Sequence, residues 1–176
     1  MAGFSAGLGG FMAKPVHVTG ALGARKMAVE ETVGSILRTK GDQVWQIAAT
    51  ATVYDAVAEM AQRSIGALPV IAEGVLVGII TERDYARKII LQGRSSAHTA
   101  VQEIMTDSPI TVTPEFTLKE CLRIMTVRRF RHLPVLDDGK LCGMISIGDL
   151  VAAIISNQAF TIEQLETYIA ADYPGK

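Results

Sequence analysis

The sequence predicts an α/β (α+β) fold of two pseudo-symmetric repeats packed through their small β-sheets. Three observations predict it. First, the chain overlays on itself at an offset of 65 residues: Thr52–Ile90 and Thr117–Ile155 share 13 identities in 39 positions. Agreement of that density marks a duplicated supersecondary unit. Second, each copy reads as helix, strand, strand, helix, with one apolar face per element. Third, such a unit has nothing of its own to cover its apolar faces, whereas two copies placed back to back, sheet against sheet, supply the missing layer.

Each repeat justifies its elements in order. "TVYDAVAEMAQRS" opens with Thr52 and places Asp55 three residues on, and "TLKECLRIMTVRR" does the same with Thr117 and Glu120. This is the reciprocal cap that starts a helix. Val53, Val57, Met60 and Ala61 then fall at helical spacing, as do Leu118, Cys121, Leu122 and Met125. Leu68–Ile71 and Leu133–Leu136 are short apolar strands, each followed by a polar turn holding Gly74 or Gly139. "VLVGIIT" and "LCGMIS" are the second strands, and "DYARKIILQ" and "DLVAAIISN" the closing helices. Beyond the repeats, "FTIEQLETYIAADY" carries a further cap pair, Thr161 and Gln164. Ile162, Leu165 and Ile169 lie on one helical face, with Tyr168 beside it.

Bulk composition narrows the function. Of 176 residues, 49% are apolar and 20% charged, and the net charge is −1. That is the balance of a globular protein, without the basic field that draws nucleic acid or an anionic membrane. Cys121 and Cys142 sit among apolar neighbours at no metal spacing and read as buried reduced thiols of a reducing compartment, with the cytoplasm the expected one. His17 and His98 stand alone in polar stretches, so no metal site is expected. No nucleophile is paired with a base, so no catalytic machinery is expected either. Residues 1–29 hold six glycines and no acid, and read as a flexible arm.

Two features carry the candidate chemistry. Thr81 and Ser146 end a strand, and Asp84 and Asp149 follow three residues later in the first turn of a helix. The spacing is that of a helix cap, which needs no ligand. It also places a carboxylate where it can accept both hydroxyls of a ribose, with the Thr or Ser hydroxyl facing a phosphate. The second feature is an asymmetry. "RFRHLPV" puts Arg131 and His132 ahead of the shared Leu-Pro-Val, where "SIGALPV" has Gly66 and Ala67. Arg131 offers a planar fork for phosphate oxygens and His132 a titratable donor. The alternative is a solvated strand entry, with Arg128 and Arg129 exposed at a helix end where the dipole favours cations.

The order and wording of the repeats resemble a tandem pair of cystathionine-β-synthase (CBS) domains. "ALPV" and "HLPV", then "GIITERD" and "GMISIGD", carry the resemblance, which covers roughly residues 33–156. "TERDYARK" followed by "GRSS" is further similar to small stand-alone CBS-pair proteins. On that likeness the chain divides into an arm (1–29), repeat 1 (30–95), repeat 2 (96–157) and a C-terminal amphipathic helix and tail (158–176).

The resemblance implies a regulatory module, not an enzyme, that binds an adenosine nucleotide (AMP, ADP, ATP or NAD) between the repeats. The ligand is regulatory, and no catalytic cofactor is implied. One cleft would combine Ser146, Asp149, Arg131 and His132 with Lys40, Trp45 and Gly66. The other would combine Thr81, Asp84 and Ala67 with Met105 and Ile110, and Arg83 would add a cation there or remain a solvated helix-start arginine. The likeness also implies a homodimer read by a separate regulated protein, with neither nucleic acid nor membrane as partner. An oligomerisation scaffold with vestigial clefts is the alternative.

Overall fold

The structure is a computed structural model that describes residues 31–41 and 43–156. The glycine-rich stretch 1–29, His17 and the tail segment 158–176 lie outside them. Helix α1 (Val33–Lys40) is followed by strand β1 (Ile47–Ala48), helix α2 (Val53–Arg63) and strands β2 (Ala67–Ala72) and β3 (Val75–Thr81). Helix α3 (Glu82–Tyr85) runs on through a π-helical stretch, Ala86–Ile90. After two short 3₁₀ turns come β4 (Thr106–Asp107), α4 (Leu118–Arg128), β5 (His132–Asp137), β6 (Lys140–Ser146) and α5 (147–156). This is the duplicated α/β architecture that the sequence predicts.

The duplication extends to backbone detail. β2 pairs antiparallel with β3, and β5 with β6, each with an irregularity at equivalent positions, Val70/Ile71 and Val135/Leu136. Each hairpin turns on two residues of positive φ, Glu73-Gly74 and Asp138-Gly139, as the native strand twist demands. Helices α2 and α4 end on residues in the left-handed conformation, Ser64 and Arg129. The Thr52–Asp55 and Thr117–Glu120 capping boxes are both formed. β1 runs parallel to β2 through Ile47↔Val70, and Val112 makes the equivalent parallel bridge to Val135. β3 and β6 come into contact, so the two sheets meet along their second strands.

The cores divide the chain differently from the linear order of the repeats. Met60, Leu68, Val70 and Ile80 form one core, closed by Val101 and Ile104 from the segment after repeat 1. Met125, Leu133, Val135 and Ile145 form the other, closed by Val33 and Ile36 of α1, the first helix of the stretch counted as repeat 1. The backbone straps match. The amide of Val33 donates to the carbonyl of Phe116 (2.8 Å) and that of Val101 to the carbonyl of Ala51 (2.9 Å). Each strap then crosses a glycine of the sheet. A Cβ at Gly143 would lie 2.6 Å from Cδ2 of Leu37, and one at Gly78 would collide with Sδ of Met105. These glycines are needed for close approach.

Because α1 serves the core of repeat 2, truncating it should act at a distance in sequence. Ile36→Ala is expected to cost about 2–5 kcal/mol in urea unfolding, the range for emptying a buried aliphatic site. Amide exchange should rise in α4, which the strap covers, more than in α2. Equal loosening of both helices would contradict the division of the cores.

Candidate functional site

Each T/S-x-x-D pair sits where a buried second strand turns into a helix. At the end of β3, Oγ1 of Thr81 donates to Oδ2 of Asp84 (2.6 Å), and the Asp84 amide donates back to Thr81 Oγ1 (3.2 Å). At the end of β6, the Ser146 amide and Oγ both donate to Oδ2 of Asp149, at 2.7 and 2.9 Å. The cap is therefore formed in both copies, and one oxygen of each carboxylate carries it. A lysine reaches each carboxylate as well. Lys88 Nζ lies 2.9 Å from Oδ1 of Asp84 and donates to the carbonyl of Ile104 (2.6 Å). Lys40 Nζ lies 2.8 Å from Oδ2 of Asp149 and donates to the carbonyl of Met144 (3.1 Å).

Two clefts open beside these pairs, each walled by both repeats. The Asp84 cleft, about 540 Å³, is bordered by Thr81, Glu82 and Asp84 on one side and by Ile110, Phe130 and Arg131 on the other. The Asp149 cleft, about 340 Å³, sets Ser146 and Asp149 against Trp45, Ile65 and Ala67, with Lys40 from α1. Gly66 and His132 line both, so they form the partition between them. The entries to β2 and β5 are pinned alike. The carbonyl of Gly66 accepts from the Glu82 amide (3.2 Å), and the carbonyl of Arg131 from the Ile147 amide (2.9 Å).

Most of the expected residues gather at the clefts, but three are grouped differently from expectation. Lys40, Trp45, Gly66, His132, Ser146 and Asp149 do share one cleft. Thr81, Arg83, Asp84 and Ile110 share the other. Arg131, expected with Asp149, lines the Asp84 cleft, while Ala67 lines the Asp149 cleft. The physical reason lies in the extended chain, where successive side chains point to opposite faces. Arg131 therefore parts from its neighbour His132, which borders both clefts, and Ala67 turns to the Asp149 side while the bare backbone of Gly66 borders both. Met105 lines neither cleft, because the bare backbone of Gly78 receives its side chain.

Lys88, Arg87 and Arg128 were missed. The first two had a signal, since Lys88 follows Asp84 and Arg87 follows Arg83 by four residues, one helical turn. For Arg128 the sequence held no sign that a helix end would border a cleft.

Burial and charge set the titration of the site. Burial is the largest influence on His132 and holds its imidazole below the ordinary value of 6.5; Asp149 pulls it up, while Lys40 and Arg131 push it down. For Asp149, burial works to raise the carboxyl, and the Lys40 ammonium with the Ser146 amide and hydroxyl outweighs it, leaving the group below its ordinary 3.8. Trp45 is held in place by the Arg63 guanidinium stacked 3.5 Å above its ring. The cysteines are not part of the site: burial, helped by Glu120, pushes the Cys121 thiol up to about 12. Among the described residues no group of His, Cys, Asp and Glu is arranged to hold a metal ion, and no helix is long and apolar enough to cross a membrane.

The profile of the CBS domain matches residues 33–91 and again 101–156. The chain belongs to the CBS-domain family. It is 45% identical over 151 residues to the mitochondrial CBS domain-containing protein CBSX3 of Arabidopsis thaliana, covering 81% of this chain and 73% of that one. A solved protein with CBS domains from Burkholderia ambifaria superposes with a TM-score of 0.70 at 49% identity, over 72% of this chain and 96% of the other. The CBS domain pair of protein MJ0100, solved with 5′-methylthioadenosine and S-adenosyl-L-methionine, superposes at 0.63 with 25% identity, over 72% and 97%. The hexameric CBS-CP12 protein of bloom-forming cyanobacteria gives 0.62 at 26%, over 80% and 87%.

A depressed histidine makes stability depend on pH with a definite sign. Between the folded value of His132 and 6.5 the unfolded chain binds more protons than the folded one, so stability rises with pH across that window. Melting temperature should therefore fall as pH drops below 6.5 and be level above it as far as His132 contributes. His132→Gln should flatten the slope, and the His132 ring resonances should titrate below 6.5 in NMR. A midpoint above 6.5 would overturn the assignment.

Proposed function

We propose that this chain is a regulatory module that binds adenosine nucleotides in the clefts between its two CBS repeats and signals by conformational change. AMP, ADP, ATP and NAD are the candidate ligands, and the chain itself catalyses no reaction. The observation that carries the reading is the arrangement repeated at both clefts. A hydroxyl–carboxylate pair at a strand-to-helix turn faces an apolar wall supplied by the other repeat. The carboxylate suits the two hydroxyls of a ribose, and the wall suits a purine face. Support also comes from the MJ0100 domain pair, whose two ligands both contain adenosine.

A ligand so placed touches both repeats and shifts their relative setting only by its differential affinity for the two settings. A partner protein would read that change. We propose a homodimer as the working assembly, testable by analytical ultracentrifugation. For the compartment, the two cysteines without a disulfide partner fit any reducing lumen. The cytoplasm is the sequence expectation, and the mitochondrial label of the Arabidopsis relative fits the same chemistry.

A scaffold reading has one observation in its favour: Ile90, Leu91, Val151 and Ile155 are exposed apolar side chains on the closing helices, at 58%, 79%, 46% and 61%. Thermal melting against a nucleotide panel separates the two readings. A ligand at a hundred times its dissociation constant should add about 2.7 kcal/mol of apparent stability. A double Asp84→Ala/Asp149→Ala variant should lose that response, its starting stability being measured separately because both caps are cut. No shift with any adenosine ligand, in a chain that still self-associates, would leave the scaffold.

A further inference from the structure

We propose that the two clefts take adenosine ligands of different charge: the Asp84 cleft a nucleoside di- or triphosphate, and the Asp149 cleft an adenosine derivative without a phosphate group. This rests on the nucleotide reading above and assigns a ligand class to each cleft.

Four guanidinium groups border the Asp84 cleft: Arg83, Arg87, Arg128 and Arg131. Of its two acids, Asp84 is already neutralised by Lys88 at 2.9 Å, which leaves Glu82 alone against the four. Among the described residues no carboxylate lies within ion-pair distance of any of the four arginines. Arg83 is oriented instead by donating from Nη1 to the carbonyl of Arg129 (3.1 Å). Cations of one sign around one cavity repel each other and focus a positive potential into it. A polyanion removes that repulsion and accepts several charge-assisted hydrogen bonds at once. The arginines come from both repeats, two from α3 and its continuation and two from the end of α4 and the entry to β5. A phosphate chain between them would tie the repeats together. Ile110, Phe130 and Pro134 supply an apolar wall beside it for a base.

The Asp149 cleft has the opposite balance. Its lysine, Lys40, is committed to Asp149 and to the carbonyl of Met144. Burial, with Lys40 and Arg131, outweighs the pull of Asp149 and holds the His132 imidazole below its ordinary 6.5, which disfavours a positive charge there. Among the described residues no arginine lines this cleft, and its volume is about 340 Å³ against about 540 Å³. A phosphate there would compete with Asp149 for a single ammonium. The Asp149 carboxylate and the half-buried Trp45 suit a ribose and a base without that group.

The test is isothermal titration of the full chain with adenosine, AMP, ADP and ATP in magnesium-free buffer. Affinity should rise from AMP to ATP and fall with added salt, while adenosine binding should be nearly independent of salt. Tripolyphosphate should compete with ATP and not with adenosine. Arg87→Gln with Arg131→Gln should weaken ATP by about tenfold or more and change adenosine by less than about twofold. Asp149→Asn should do the reverse. Because the arginines are exposed, the double variant should melt with the parent chain. The salt series and tripolyphosphate competition need no variant at all. If ATP and adenosine bind but share one salt dependence, or if Asp149→Asn removes ATP as fully as adenosine, the division of charge is wrong and the nucleotide reading stands. If none of the probes binds, the nucleotide reading itself fails and takes this proposal with it.

Discussion

Neither repeat closes its own core from its own helices and hairpin; each waits for a short strap. Val101 and Ile104 cover the first, and Val33 and Ile36 cover the second. The straps then drop Met105 and Leu37 onto Gly78 and Gly143, where only a bare backbone leaves room. Everything else in the molecule depends on that closure. Because α1 must cross repeat 1 to reach the core of repeat 2, the two repeats share covalent and packing ties. The apolar area that α1 removes from water adds to the contact of β3 with β6 in holding the pair as one unit.

The same tie builds the clefts. Lys40 is the last residue of α1, so the strap that seals the second core also delivers an ammonium to Asp149. In the other cleft the strap position carries no lysine, and Lys88 from the π-helical stretch takes the equivalent place on Asp84. Two copies of one motif thus reach the same electrostatic end by different residues. Where the copies differ in Arg131 against Gly66, the difference lands on the Asp84 side, since the entry to β5 faces the opposite repeat. Both clefts are lined by elements of both repeats, the geometry that the proposed conformational signal would require.

In Thr81–Asp84 and Ser146–Asp149 the cap is compatible with the proposed ligand role. The cap engages Oδ2 of each carboxylate with the strand-end amide and hydroxyl. A helix cap of this kind fixes the carboxylate before any ligand arrives, and such pre-organisation lowers the entropy cost of binding. That is why the sequence pattern by itself could not choose between cap and site.

The offset of 65 residues, the four caps, the two-residue turns and the apolar strands are local properties, and local chemistry decided them in the sequence. Thr81 with Asp84 and Ser146 with Asp149 were legible for the same reason: three residues of spacing and a preceding apolar strand suffice. Which residues face one another across a cleft is not local. Arg131 was grouped with Asp149 on the family resemblance, yet in the folded chain Arg131 borders the Asp84 cleft, while His132 borders both. The strap roles of Val33 and Val101 likewise depend on contacts spanning much of the chain. Sequence determined the repeat, its elements and its paired carboxylates. Only the tertiary structure decided how the charge divides between the clefts, because a residue's neighbours across a gap are set by packing and not by position in the chain.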